Sequence, residues 1–179
     1  MTKVLFAAFL VLISFLGPPS MAQQVPSGAL AIRIEPTGGA QPGGQAVSLF
    51  DASRHFSVVL MNIGATPIRL WQDWCSWGYF NLSFEMNEKN GRHVTISRKM
   101  KVWEKNFPDW TTIAAGGELV IDVAFDPTIW HNAPALGTAK QQTIRLRAVY
   151  ESAEGKDAKE HKVWTGKIAS PENTYALFR

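Results

Sequence analysis

The chain has 179 residues, 46% of them hydrophobic, 18% charged and 11% aromatic, with a formal net charge of +3. That length suits one globular domain, and an ordinary apolar fraction with so small a net charge excludes an intrinsically disordered chain. A single cysteine excludes an intrachain disulfide framework, and the presence of only one long apolar run excludes a multi-pass membrane protein.

In chain order, Lys3 precedes an apolar run at 4–16 (VLFAAFLVLISFL), which Gly17, Pro18 and Pro19 break. Ser20 and Ala22 then supply small residues at the −3 and −1 positions of a cleavage site before Gln23. This is the pattern of a secretory signal peptide, and the run is shorter than the about 20 residues a membrane span needs. The reading is therefore a signal peptide at 1–22, an exported (periplasmic or extracellular) product, and no stable membrane span after cleavage. No cysteine follows the run closely, so lipid attachment is not expected.

Segment 29–35 (ALAIRIE) alternates, with Leu30, Ile32 and Ile34 on one face, and predicts a first strand. Segment 36–46 (PTGGAQPGGQA) is too rich in Gly and Pro to hold a ladder or a helix. Residues 23–46 thus read as an N-terminal strand with a Gly/Pro-rich loop, and 47–179 as the main domain. Phe56, Val58 and Leu60 alternate before turn residues at 62–67, and 68–71 is short and β-prone. Segment 79–86 (YFNLSFEM) predicts a strand with Phe80, Leu82, Phe84 and Met86 inward and Asn81, Ser83 and Glu85 outward. Asn90-Gly91 predicts a two-residue hairpin turn into a strand carrying Val94 and Ile96. Leu119, Ile121, Val123 and Phe125 form one face of the next strand, and Ile144, Leu146, Ala148 and Tyr150 one face of another. Segment 151–160 reads as a charged loop, with the last strands at 163–168 and 174–178.

No segment sustains a helical period. Several short strands with polar outer faces predict an all-β, immunoglobulin-like antiparallel two-sheet sandwich of about seven to nine strands. The irregular stretches 99–112 and 127–142 are expected as long loops at its ends, where sandwiches place binding surfaces. Phe56 to Gly64 (F-x-V-x-L-x-N-x-G), Pro67 with its following strand, and Gly117-x-Leu119-x-Ile121-x-Val123 resemble secreted bacterial immunoglobulin-like domains. They are similar to the family of the Bacillus-type intracellular proteinase inhibitor, and that resemblance implies the sandwich fold and a proteinase-inhibitor function. No inhibitory loop is matched, and the export signal departs from an intracellular inhibitor. Segments 71–84 and 163–170 look like uncharacterised exported bacterial proteins.

Seven tryptophans are the most unusual feature. Trp71, Trp74 and Trp77 lie three apart in WQDWCSWG, with Asp73 between them, while Trp103, Trp110 and Trp130 lie in the expected end loops. An indole is flat, large and amphipathic, so it fills cores, stacks on sugars or anchors a protein partner. These seven residues are the candidate ligand-binding set, and core packing of Trp71, Trp74 and Trp77 is the competing reading. His55, His93, His131 and His161 lack metal-ligand spacing, so no metal and no cofactor is expected. Cys75 between Trp74 and Ser76 reads as a buried, inert thiol. No nucleophile–base pair or phosphate-binding glycine motif is visible, so no catalytic residue is assigned. No basic run is long enough to track a phosphate backbone, which argues against nucleic acid. The sequence therefore points to an exported, non-catalytic binding or structural module with a protein or polysaccharide partner, the alternatives being a carbohydrate-binding module and a proteinase inhibitor.

Overall fold

A computed structural model describes residues 27–39, 47–49, 53–134 and 142–177. The expected signal peptide at 1–22 lies outside these residues, as does most of the Gly/Pro-rich loop. The architecture is all-β. The strands are β1 (Leu30–Glu35), β2 (Val47–Ser48), β3 (His55–Asn62), β4 (Ile68–Trp71), β5 (Leu82–Glu88), β6 (His93–Arg98), β7 (Trp110–Ile113), β8 (Glu118–Ala124), β9 (Trp130–His131), β10 (Gln142–Ser152), β11 (Gly166–Ala169) and β12 (Asn173–Leu177). Two short helices, α1 (Ser76–Tyr79) and α2 (Lys156–His161), interrupt them. One sheet has the order β1-β3-β8, a larger one β2-β12-β10-β5-β6-β9 with β11 also pairing β10, and a third, two-stranded sheet pairs β4 with β7. Every pairing is antiparallel except β12 with β2.

Alternating apolar residues explain how the two larger sheets share a core. Leu30 and Ile32 of β1, Phe56, Val58 and Leu60 of β3, and Val123 of β8 are buried in one cluster with Phe84 and Met86 of β5, Ile96 of β6, and Ile144 and Leu146 of β10. Phe56 meets Phe84 across the sheets at 5.7 Å between ring centroids, and both rings pack on Phe125 at 5.1 Å. Fully burying one such ring contributes about 1.5–3 kcal/mol. β3 is central in its sheet. Val59 on its other face is buried too, beneath its cross-strand neighbours Arg33 and Val120.

Three local expectations are corrected. Segment 79–86 does not run extended throughout: α1 ends at Tyr79, and Phe80 caps it at φ −94° and ψ 1°. That turn shifts the alternation, so Phe80 is exposed and Asn81 is buried. The 151–160 loop contains α2, where Asp157 sits in the first turn and Lys159 and His161 in the last, complementing the helix dipole. The β5–β6 hairpin turns over three residues rather than two. The Glu88 N–H donates to Arg92 O at 2.9 Å, and Gly91 at φ +84° takes the left-handed position that closes such a loop.

Candidate functional site

The β4–β7 pair brings the 72–81 segment, which follows β4, beside the 99–109 segment, which precedes β7. Trp71 lies opposite Trp110, and just beyond them the Gln72 N–H donates to Asp109 O at 2.9 Å. The chain then turns sharply into α1. A Cβ on Gly78 would stand 2.2 Å from Gln72 O, so only glycine allows this close return. Cys75 is fully buried inside the turn, as its sequence neighbours suggest, with its thiol directed at Gln72 O, 3.2 Å away. Ser76 and Asn106 join the 72–81 segment to the 99–109 segment. The Ser76 N–H donates to Asn106 Oδ1 at 2.9 Å, and Asn106 Nδ2 donates to Ser76 Oγ at 2.7 Å.

The tryptophans divide into supports and surface. Trp71 is buried against Trp77 (6.2 Å) and Trp110 (6.3 Å), forming with Ala158 and Val163 a second apolar cluster on which α2 docks. Trp77 Nε1 donates to Asp157 Oδ2 at 2.7 Å, and the His161 ring lies 4.7 Å from Trp110. Arg69 sits over Trp110 and donates to His161 O at 2.9 Å. Trp130 is buried in the main core against Phe84, so it is not a loop anchor: it stands in β9, pairing with Arg98. Trp103 is half-buried, edge-on to Tyr79 at 5.4 Å, with Lys101 Nζ 4.6 Å over its ring. Trp74 is 52% exposed. Asp73 is exposed and bonds Arg98 at 2.9 Å, the Arg98 guanidinium being stacked on Tyr79 (4.7 Å) and Trp130 (5.3 Å).

Apolar residues other than tryptophan are exposed here as well. Phe80, Met100, Val102 and Phe107 are exposed on the same two segments as Trp74, Val102 to 91%. Met100, Val102 and Phe107 stand in KMKVWEKNF (99–107), where apolar residues are interspersed among charged ones without a strand's period. A cavity of about 240 Å³ opens between segment 72–79 and β8. Leu119 and Ile121 form one side, and Asp73, Tyr79, Arg98 and Tyr150 the other. Burial pushes the Tyr150 phenol up to about 12. With its amide nitrogen turned to Trp77 O and Glu151 O, each 3.1 Å away, buried Asn81 leaves its oxygen to accept from the Tyr150 hydroxyl.

His55 Nδ1 and Asp122 Oδ2 are 2.6 Å apart on the surface. Among the described residues, no group of three His, Cys, Asp or Glu side chains is placed to hold a metal ion. No helix among them is long and apolar enough to cross a membrane.

No family model matches the chain, and no curated protein matches it. Among solved structures it is similar to an X-ray structure from the Northeast Structural Genomics Consortium, target SoR45, at 8% identity over 86% of this chain and 89% of that chain, with a TM-score of 0.36.

Proposed function

We propose that this protein is an exported, non-catalytic binding module with an immunoglobulin-like two-sheet sandwich, and that it docks a protein partner at the end built by segments 72–81 and 99–109. Export rests on the residues at 1–22, and the sandwich reading on the core shared by the two larger sheets. The observation that carries the docking reading is the exposure of Trp74, Phe80, Met100, Val102 and Phe107 on two segments stapled by Ser76 and Asn106. Large apolar side chains left in water on an ordered scaffold mark a contact surface. Their order is held beneath by Trp71, Trp77 and Trp110, so little entropy is lost on docking.

A protein partner fits this end better than a polysaccharide. Sugar stacking uses coplanar exposed rings, whereas Trp71 and Trp77 are tilted by 40° and only Trp74 of that trio is exposed. Changing Trp74, Val102 and Phe107 together to serine tests the reading. The fold keeps its unfolding midpoint, retention of the protein partner on the immobilised chain is lost, and soluble polysaccharides leave the tryptophan emission of the parent chain unchanged. A fall in emission on adding polysaccharide, reversed in the triple variant, would replace the protein partner by a carbohydrate.

A further inference from the structure

β8 has one neighbour, β3, and among the described residues no strand pairs with its other edge. The Asn62 N–H donates to Gly117 O at 2.9 Å, and the register runs on through Leu60↔Leu119 and Val58↔Ile121. In an antiparallel ladder bonded pairs alternate, so Leu119, Ile121 and Val123 face their backbone groups to β3. The N–H and C=O groups of Val120 and Asp122 therefore point to the free edge. The cavity described above runs along that same edge, lined by four successive β8 residues, Leu119 to Asp122. At about 240 Å³ it is below the roughly 300–1,000 Å³ of small-molecule sites, and it is sized for a side chain.

From this geometry we infer that the β8 edge is a strand-addition site, which receives an extended segment of a partner polypeptide. This goes beyond the reading of the apolar end, since β8 contributes none of that end's exposed side chains. The added strand supplies the backbone partners that Val120 and Asp122 lack, and its alternate side chains set specificity. The residue opposite Ile121 is apolar and enters the cavity toward Tyr79. The residue opposite Val120 packs on that exposed side chain and is β-branched. The residue opposite Asp122 is lysine or arginine, because the Asp122 carboxylate is partnered by an imidazole, His55, and not by a permanent cation. The three are consecutive, so in a strand added antiparallel to β8 the recognised sequence reads, from its N-terminus, basic, cavity-filling, β-branched.

A second copy of this chain is the poorer occupant. β8 reads ELVIDVA and contains no basic residue. Pairing two β8 edges in any register sets Asp122 against an apolar residue or another acid, which is how natural edges discourage self-association.

The test selects random linear peptides displayed on phage against the full chain, then synthesises the selected sequences. The expected peptides carry the basic–apolar–β-branched order, and their binding slows amide exchange of Val120 and Asp122 by about tenfold or more. N-methylating those alternate peptide amides that face β8 lowers affinity about tenfold or more, while methylating the intervening amides does not. That comparison leaves the protein unaltered, so misfolding cannot mimic it. Asp122→Lys weakens the basic peptides at least about tenfold, and Val120→Pro abolishes their binding. The proposal is overturned if no selected peptide loses affinity on alternate methylation, if bound peptides leave the Val120 and Asp122 exchange unchanged, or if the chain alone forms a dimer that already protects both amides. These readouts are independent of Trp74, Val102 and Phe107, so their failure and that of the apolar-end reading are separable.

Discussion

Ser76 and Asn106, thirty residues apart, hold each other by two hydrogen bonds: the Ser76 backbone N–H to the Asn106 amide oxygen, and the Asn106 amide nitrogen to the Ser76 hydroxyl. The pair turns two irregular connections into one ordered end. It adds a polar tie at the middle of 99–109 to the packing of Trp103 and Lys101 on Tyr79 and to the Gln72–Asp109 backbone bond.

Asn106→Ala removes both bonds and leaves the Ser76 N–H without its partner. The expected loss is about 1–2 kcal/mol, measured by urea unfolding. Faster amide exchange confined to 72–81 and 99–109 accompanies it. Unchanged exchange in both segments would mean the staple does not order them.

Gly78→Ala tests the close return of α1 onto β4. The added methyl meets the Gln72 carbonyl oxygen and carbon and the Trp71 carbonyl carbon, all backbone atoms that cannot rotate away. Overpacking of this kind costs about 1–3 kcal/mol. The unfolding midpoint falls, and near-UV circular dichroism from Trp71 and Trp77 weakens while the β signal in the far UV persists.

Asn62 is buried at the end of β3, where its Nδ2 donates to Thr66 O, Ile113 O and Ala114 O while its Oδ1 accepts from the Gly64 N–H at 3.0 Å. One side chain thus locks the β3–β4 turn to the start of the β7–β8 turn. Asn62→Ala leaves the buried Ile113 carbonyl and three partly buried backbone groups without this partner, and a loss of about 1–3 kcal/mol is expected in chemical denaturation.

Alkaline stability follows from Tyr150. Burial holds its proton up to about 12 in the folded chain, whereas an unfolded tyrosine releases it near about pH 10. Between those values the folded state binds more protons than the unfolded one, so stability is full below about pH 10 and falls as pH rises towards 12. Burial raises the Tyr175 phenol as well, with the same sign. Tyr150→Phe should flatten this fall, and the ultraviolet tyrosinate signal of the native chain should lack its contribution until about pH 12.

The strands were legible because their faces alternate. Phe56, Val58 and Leu60, and Ile144, Leu146 and Ala148, are buried as their period-two pattern requires. Helix α2 was hidden because six residues of charged sequence carry no period, and its partners, Trp71 and Trp110, lie far away in the chain. The inversion of Phe80 and Asn81 came from the helical turn that ends at Tyr79 and its cap at Phe80, which no alternation reveals. At the candidate site the sequence picked out the indoles by size, and the structure separates them by burial: Trp71 and Trp130 inside, Trp74 outside. Val102 and Phe107 carry no motif, and their exposure depends on a loop held by a hydrogen-bonded pair thirty residues apart. The free edge of β8 is a property of sheet order, which the pattern of a single strand does not contain.

Site-specific photo-crosslinking tests the central claim most directly. The photo-crosslinker p-benzoylphenylalanine is placed at Trp74 on the apolar end and, in a second chain, at exposed Lys167 on β11. Irradiation in the producing cells should give a discrete adduct with another polypeptide from position 74 and none from position 167. Equal labelling from both positions, or no polypeptide adduct from position 74, would contradict a protein-docking end.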